Sequence, residues 1–227
     1  METATTLDNF AAIEFLANGK GFYDKVILLS GVSWRQYEQF LNDFEEKAGW
    51  HLAYDDGNLE IIPPLAEHET PSRTIDLIVY VYSTHFDLTI ESLGSTTFRR
   101  KLKKKGVEPD ACFYVQSADK IIGKSDELKP ENYPVPDVAV EIDVTHGSLD
   151  KFSIYAALDV PELWIYDGKN VSFYQLAGNI YNKTETSLAL PHLTAAVLTD
   201  FLTLSRVGGQ TVALRRFREW LKERKAA

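Results

Sequence analysis

The chain has 227 residues, of which 44% are hydrophobic and 25% charged, and its formal net charge is −9 at pH 7. These proportions are those of an ordinary folded globular protein. A single cysteine, Cys112, excludes a disulfide scaffold and a Cys-rich zinc module, and the acidic balance argues against nucleic-acid binding by a basic field over the whole surface.

No apolar run approaches the roughly 20 residues that a membrane-spanning helix needs. The first residues also lack the basic and then apolar segments of a secretion signal. We therefore expect no membrane association and a cytoplasmic location. Without repeats or a Gly/Ser linker, the sequence predicts an N-terminal extension (1–32), one core (33–190) and a C-terminal helical segment (191–227) that packs on the core.

The first clear element is a helix that begins at a capping box of Ser33 and Gln36 and extends to about residue 48. A hairpin follows, with strands over 51–54 and 59–62 and a turn at 55–57. A second helix is predicted from about residue 67 to residue 85.

The middle of the chain is rich in strands, predicted over 88–93, 111–115, 138–144, 163–166 and 171–174. A helix over about 149–158 separates the third of these strands from the fourth, and an amphipathic helix spans about 211–224. The predicted fold class is therefore mixed α/β, with a central mixed β-sheet flanked by helices.

Two Pro-Asp steps, at Asp110 and Asp137, open the second and third of these strands. The period of two along a strand then places Asp137, Glu141 and Asp143 on one face and valine and isoleucine on the other. Carboxylates held within about 4–6 Å repel one another, and a divalent cation removes that conflict. The alternative is a solvated strand face at a sheet edge, with Asp137 serving the turn.

Lys151 comes at the start of the next helix, from which it could return over the end of the same strand. Two carboxylates on adjacent strands and one lysine suffice for metal-assisted hydrolysis of a phosphodiester. The alternative for Lys151 is a solvated side chain in the first turn of a helix.

Four segments in order along the chain resemble a bacterial restriction-endonuclease-like family of the PD-(D/E)XK nuclease superfamily. The longest are 136–145 (PDVAVEIDVT) and 149–167 (LDKFSIYAALDVPELWIYD). Upstream, 56–64 (DGNLEIIPP) with the following Glu-His-Glu is similar to the family's hairpin and first helix, and 108–114 (EPDACFY) to its first Pro-Asp strand.

The resemblance implies a restriction-endonuclease-like core and a catalytic set of Asp110, Glu141, Lys151 and His68. Asp110 and Glu141 match the superfamily's acidic metal ligands, for Mg²⁺ or Mn²⁺. The superfamily's lysine would fall at Asp143, so the resemblance assigns its role to Lys151. His68 matches a histidine at the start of the first helix, where the alternative is a capping role or pairing with a neighbouring glutamate.

Six positive charges lie between Arg99 and Lys105, directly before the Asp110 strand. They predict either a solvated loop or a patch that steers phosphate toward the site. The basic face of the last helix allows the same two interpretations.

The resemblance implies a metal-dependent DNA endonuclease that acts as a homodimer on DNA. One alternative is a catalytically inactive nuclease fold kept as a binding or assembly module. Another, less favoured, is a hydrolase of a small phosphate-containing ligand, which would not need the basic run.

Overall fold

The structure, a computed structural model, describes residues 26–44, 50–63, 66–94, 96–124, 128, 133–144 and 149–224. Its helices are α1 (Trp34–Phe44), α2 (Ala66–His85), α3 (Lys151–Ala157), α4 (Ala195–Gly208) and α5 (Gln210–Lys222). Its strands are β1 (Ile27–Ser30), β2 (His51–Asp55), β3 (Asn58–Ile62), β4 (Glu91–Ser92), β5 (Phe98–Arg100), β6 (Lys105–Val107), β7 (Ala111–Tyr114), β8 (Val138–Ile142), β9 (Glu162–Tyr166), β10 (Val171–Ala177) and β11 (Ile180–Thr184).

These strands form two sheets. The smaller has the order β1-β3-β2-β6-β5 and is antiparallel. The larger has the order β11-β10-β9-β8-β7-β4, in which β8 and β9 are parallel and the other neighbours antiparallel. A parallel pair requires a crossover connection, and α3 lies on the connection from β8 to β9.

The capping box predicted at α1 is present. The Gln36 amide donates to Ser33 Oγ at 3.3 Å, and the Ser33 amide donates to Gln36 Oε1 at 2.8 Å, which satisfies two amides at the helix start. Tyr37, Phe40 and Phe44 of α1 are buried against the smaller sheet.

Both faces of the larger sheet are covered. On one face, Val138, Val140 and Ile142 of β8 belong to an apolar cluster with α2, α4 and α5. On the other face, Ala139 packs with Cys112 and with Ile154 and Tyr155 of α3. Every residue of β8 is buried, so the alternative of a solvated strand face at a sheet edge is wrong.

The predicted mixed α/β class is confirmed, as are the hairpin of β2 and β3 and the helices α2 and α5. Residues 45–48 of the first predicted helix lie outside the described residues. The strand predicted over 88–93 is wrong in extent: β4 pairs with β7 through two residues at the sheet edge, and Leu88 is exposed. The boundaries of the extension, core and C-terminal segment stay a prediction.

The basic segment before Asp110 is a hairpin rather than a loop, although residues 101–104 at its tip are exposed. β5 and β6 pair with each other, and a single 3-10 turn joins them. Lys104 closes that turn in a left-handed conformation, at φ 48°. β6 also pairs with β2, which attaches this hairpin to the smaller sheet.

No helix in the described part of the chain is both long enough and apolar enough to cross a membrane.

Candidate active site

Asp110 and Glu141 meet where β8 ends and β7 begins. β7 and β8 are antiparallel, with Ala111 opposite Val140, which brings the residue before β7 close to the last residues of β8. The Asp110 amide donates to the Val140 carbonyl at 3.0 Å, and the Ile142 amide donates to Asp110 Oδ2 at 2.7 Å. The backbone thus fixes the Asp110 carboxylate beside Glu141.

The Glu141 carboxylate is buried, at 6% exposure, and receives two side-chain donors from α3. The Tyr155 hydroxyl donates to Oε1, and Lys151 Nζ donates to Oε2 at 3.3 Å. Positions 151 and 155 are four residues apart and therefore share one face of the helix. That face is directed at the end of β8.

Lys151 also approaches Glu60 of β3, in the smaller sheet. Its Nζ lies 3.8 Å from Glu60 Oε1, and Glu60 Oε2 accepts the Leu149 amide at 3.1 Å. Glu60 is fully buried, so these contacts replace the hydrogen bonds that water would otherwise make to its carboxylate. Glu60 consequently links the smaller sheet to the start of α3.

Two histidines flank Asp110. His68 Nδ1, at the start of α2, and His51 Nδ1, on β2, each lie 3.9 Å from Asp110 Oδ1. His51 Nδ1 is also 3.2 Å from the Glu108 carbonyl. At 3.9 Å the contacts with Asp110 are electrostatic and longer than hydrogen bonds.

Glu60, His68, Asp110, Glu141 and Lys151 line one cavity of about 130 Å³. We call it the catalytic cavity, after the role that we propose for it below. Its carboxylates outnumber its one lysine and one histidine, so its field favours a cation. The acidic side chains that line it are Glu60, Asp110, Glu141, Asp143 and Asp150.

The electrostatics of the site follow from burial and crowding. Burial, followed by the charge of Glu141, raises the pKa of Asp110 to about 7. Burial lowers the pKa of Lys151, but the charges of Glu141, Glu60 and Asp110 outweigh that effect, and its pKa lies above the usual value. Lys151 is therefore a fixed cation rather than a base.

The four residues selected from the sequence, Asp110, Glu141, Lys151 and His68, all line the catalytic cavity. From the sequence alone, Glu60, His51 and Tyr155 receive no role at this site. The available signal for Glu60 was a single charge between the apolar residues of a strand.

The other acidic residue at a strand start, Asp137, lies at the opposite end of β8. Its Oδ2 accepts the amides of Val115 and Ser117, at 2.7 and 2.9 Å, and the Ser117 hydroxyl at 3.0 Å. Asp137 therefore fixes the chain that follows β7, whereas Asp143 lines the catalytic cavity.

Three of the four lysines in the basic hairpin contact carboxylates. Lys103 pairs with Asp159 at 2.7 Å, Lys104 pairs with Asp56 at 2.8 Å, and Lys105 pairs with Asp55. These pairs reduce the positive field that the sequence indicates for this segment.

A crystal structure from Anabaena variabilis ATCC 29413, described as a putative nuclease belonging to DUF820, is similar to the chain with a TM-score of 0.46 and 16% sequence identity. The match covers 66% of this chain and 90% of the other. No curated protein matches the chain significantly.

Residues 34–205 match the sequence model of the Uma2 family, whose description is "Putative restriction endonuclease". The match includes α1 through most of α4, and it contains every residue of the catalytic cavity. The chain therefore belongs to the Uma2 family of restriction-endonuclease-like proteins.

Proposed function

We propose that the chain is a metal-dependent DNA endonuclease that hydrolyses phosphodiester bonds in the catalytic cavity. One observation carries the proposal: Lys151 Nζ, on α3, lies 3.3 Å from Glu141 Oε2, at the cavity that Asp110 also lines. A helix-borne lysine thus reaches the acidic pair although Asp143 occupies the usual lysine position. The family description supports the same class of activity.

The donor set fits a hard divalent cation, and in this proposal Asp110 and Glu141 hold Mg²⁺ or Mn²⁺. Mg²⁺ prefers oxygen ligands and is commonly bound by one or two carboxylates together with water and substrate phosphate. The described residues contain no group of three or more His, Cys, Asp or Glu side chains arranged to hold a metal ion, so water and substrate would have to supply the remaining ligands. Bound there, the cation supplies a Lewis acid for the phosphate.

The protein's own groups have distinct tasks in this proposal. Lys151 stays protonated and donates toward the phosphate oxygens, on which negative charge develops in the transition state. Tyr155 and the Ile142 amide orient the two carboxylates by donating to Glu141 and Asp110. His68 lies beside Asp110, where it can contact the leaving or attacking oxygen.

We further propose, from the family resemblance, that DNA is the substrate, that the protein acts in the cytoplasm and that two copies associate to cut both strands. Light scattering after size exclusion tests the association, with an expected mass near twice 25.7 kDa. A monomeric mass at the protein concentration used for cleavage would contradict the association of two copies.

The second candidate is a nuclease fold that binds or assembles without catalysis. The carboxylate partners of Lys103, Lys104 and Lys105 favour it, because they weaken the basic field that would attract DNA. It predicts no cleavage with any metal ion.

Cleavage of supercoiled plasmid and of single-stranded DNA, with Mg²⁺ and with Mn²⁺, tests the proposal. We expect wild type to cut and Glu141→Gln to lose at least about 10²-fold in rate, because one metal-binding carboxylate is gone. Glu162→Gln is the matched control: Glu162 is a fully buried glutamate at the opposite end of the β8–β9 pair, opposite Val138.

Glu162→Gln should cut at the wild-type rate when the rate is expressed per folded molecule. No cutting by wild type would overturn the proposal in favour of the inactive module. Equal cutting by wild type and Glu141→Gln would also contradict it, since the activity would then arise elsewhere.

A further inference from the structure

A second cavity, of about 600 Å³, opens at the same end of the six-stranded sheet as the catalytic cavity. We call it the flanking cavity. It is lined by Thr70, Pro71 and Thr74 of α2, by residues 166–169 at the end of β9, and by α4. Its volume lies within the range of sites that bind small molecules or single nucleotides, roughly 300–1,000 Å³.

The two cavities adjoin each other at the ends of strands β8 and β9. Ile165 lines the catalytic cavity and Tyr166 lines the flanking cavity; likewise Asp143 lines the first and Val144 the second. Ile165 and Tyr166 are successive residues of β9 and pack in the apolar clusters on opposite faces of the sheet, so the two cavities lie on opposite faces at the ends of β8 and β9. A chain of nucleotides crossing this edge would contact both.

The flanking cavity has the opposite charge character to the catalytic cavity. The exposed side chains of Lys169 and Arg206 lie on it, and Arg206 Nη1 donates to the Gly168 carbonyl at 3.4 Å. Its one carboxylate, Asp167, already accepts the amides of Lys169 and Asn170, at 2.8 and 2.6 Å. The two cations therefore dominate its field.

An exposed hydroxyl, that of Thr70, completes the accessible polar lining. The Thr74 hydroxyl lies within the wall, where it donates to the Thr70 carbonyl at 2.9 Å and lies 3.3 Å from Ser205 Oγ. Two cations beside an exposed hydroxyl suit a phosphate attached to a sugar, which accepts hydrogen bonds from both kinds of group.

We propose that the flanking cavity binds the nucleotide that adjoins the scissile phosphate, with Arg206 and Lys169 paired to its phosphate. This inference rests on the proposed function, because it places the substrate strand across the edge that separates the two cavities. The catalytic cavity holds the reacting phosphate, and the flanking cavity fixes the position of the strand.

Oligonucleotide binding tests this assignment without cleavage. We would measure fluorescence anisotropy of a labelled DNA oligonucleotide in EDTA, with every protein carrying Glu141→Gln. Adding Lys169→Gln and Arg206→Gln should weaken affinity about tenfold and lower the slope of log K against log salt by about 2, because two phosphate contacts are lost.

Two further variants sharpen the test. Lys120→Gln with Lys124→Gln makes the same charge change at exposed positions beyond β7, at the other end of the sheet, and should leave affinity nearly unchanged. Thr70→Trp fills the flanking cavity without changing charge and should weaken binding. Equal losses in the two double variants would overturn the inference, as would full affinity in Thr70→Trp.

The binding assay separates this inference from the proposed function. If wild type cuts DNA and the Lys169/Arg206 double variant cuts with an unchanged KM, the function stands and the inference fails. If no protein cuts but the double variant and Thr70→Trp both bind more weakly, the flanking cavity is a nucleotide site and the endonuclease proposal fails.

Discussion

The Glu141 carboxylate receives one side-chain donor on each oxygen, Tyr155 on Oε1 and Lys151 on Oε2. A buried carboxylate with both oxygens occupied has one orientation available, so the donors fix the direction in which it can meet a ligand. The Tyr155 hydroxyl is fully buried, and burial together with the Glu141 charge holds its pKa well above the usual value. It therefore remains a donor.

Tyr155→Phe should retain the ring packing and remove this donor. We expect cleavage to slow by about 10- to 100-fold, because Glu141 loses its orientation, and the free energy of unfolding to fall by about 1–3 kcal/mol. Single-turnover cleavage and urea denaturation measure the two effects.

Tyr114→Phe is the matched control, since Tyr114 is equally buried and its hydroxyl donates to the Pro134 carbonyl at 2.7 Å, away from the cavity. It should lower stability and leave the rate intact. A rate loss in Tyr114→Phe equal to that in Tyr155→Phe would mean that the effect is general loosening of the core.

The strands that hold Asp110 and Glu141, β7 and β8, were predictable from the sequence. The contacts that the smaller sheet makes with the site were not. The alternation along β8 and the Pro-Asp step before β7 are local patterns that make Asp110 and Glu141 candidates, and the family resemblance selects them from the other carboxylates. The contacts of Glu60 and His51 depend on how the smaller sheet packs against α3 and β7, which no local pattern reports. The basic hairpin was missed because β5 and β6 have only three residues each. They pair with one another, and β6 pairs with β2, which is far away in sequence.

Gly106, on β6, is the point at which the basic hairpin packs against Tyr37 of α1. A Cβ at Gly106, on β6, would overlap the hydroxyl and ring of Tyr37, which is fully buried and stacked on Tyr54 at 4.7 Å. The absence of a side chain at Gly106 lets β6 lie directly against α1.

Gly106→Ala should lower the free energy of unfolding by about 1–3 kcal/mol through overpacking, as measured by urea denaturation. Gly208→Ala is the control, because a Cβ there would meet Val212 Cγ1 at an ordinary 3.4 Å and the alanine favours the helix. Wild-type stability in Gly106→Ala would contradict the packing described for β6.

At the scale of the whole molecule, the crowded carboxylates of the catalytic cavity cost stability. Burial and the charge of Glu141 both disfavour the ionised form of Asp110. A cation that binds the folded chain alone should stabilise it by mass action.

We expect Mn²⁺ at ten times its dissociation constant to stabilise the wild type by about 1.4 kcal/mol. For a chain of this length that raises the Tm by about 3–6 °C. Asp110→Asn should abolish this increase and, in EDTA, should melt above the wild type, because the buried repulsion is gone. A Tm for Asp110→Asn that still rises with Mn²⁺ would contradict the assignment of Asp110 as a ligand.

In the proposed endonuclease, Lys151 on α3 completes the acidic pair for phosphodiester hydrolysis. The most direct measurement is the single-turnover cleavage rate of Lys151→Gln at saturating Mg²⁺ and saturating protein, beside wild type and Lys120→Gln, whose lysine is exposed beyond β7. We expect a loss of about 10²–10³-fold for Lys151→Gln, because a preorganised donor to the developing charge is removed, and the wild-type rate for Lys120→Gln. A wild-type rate in folded Lys151→Gln would contradict this role of Lys151.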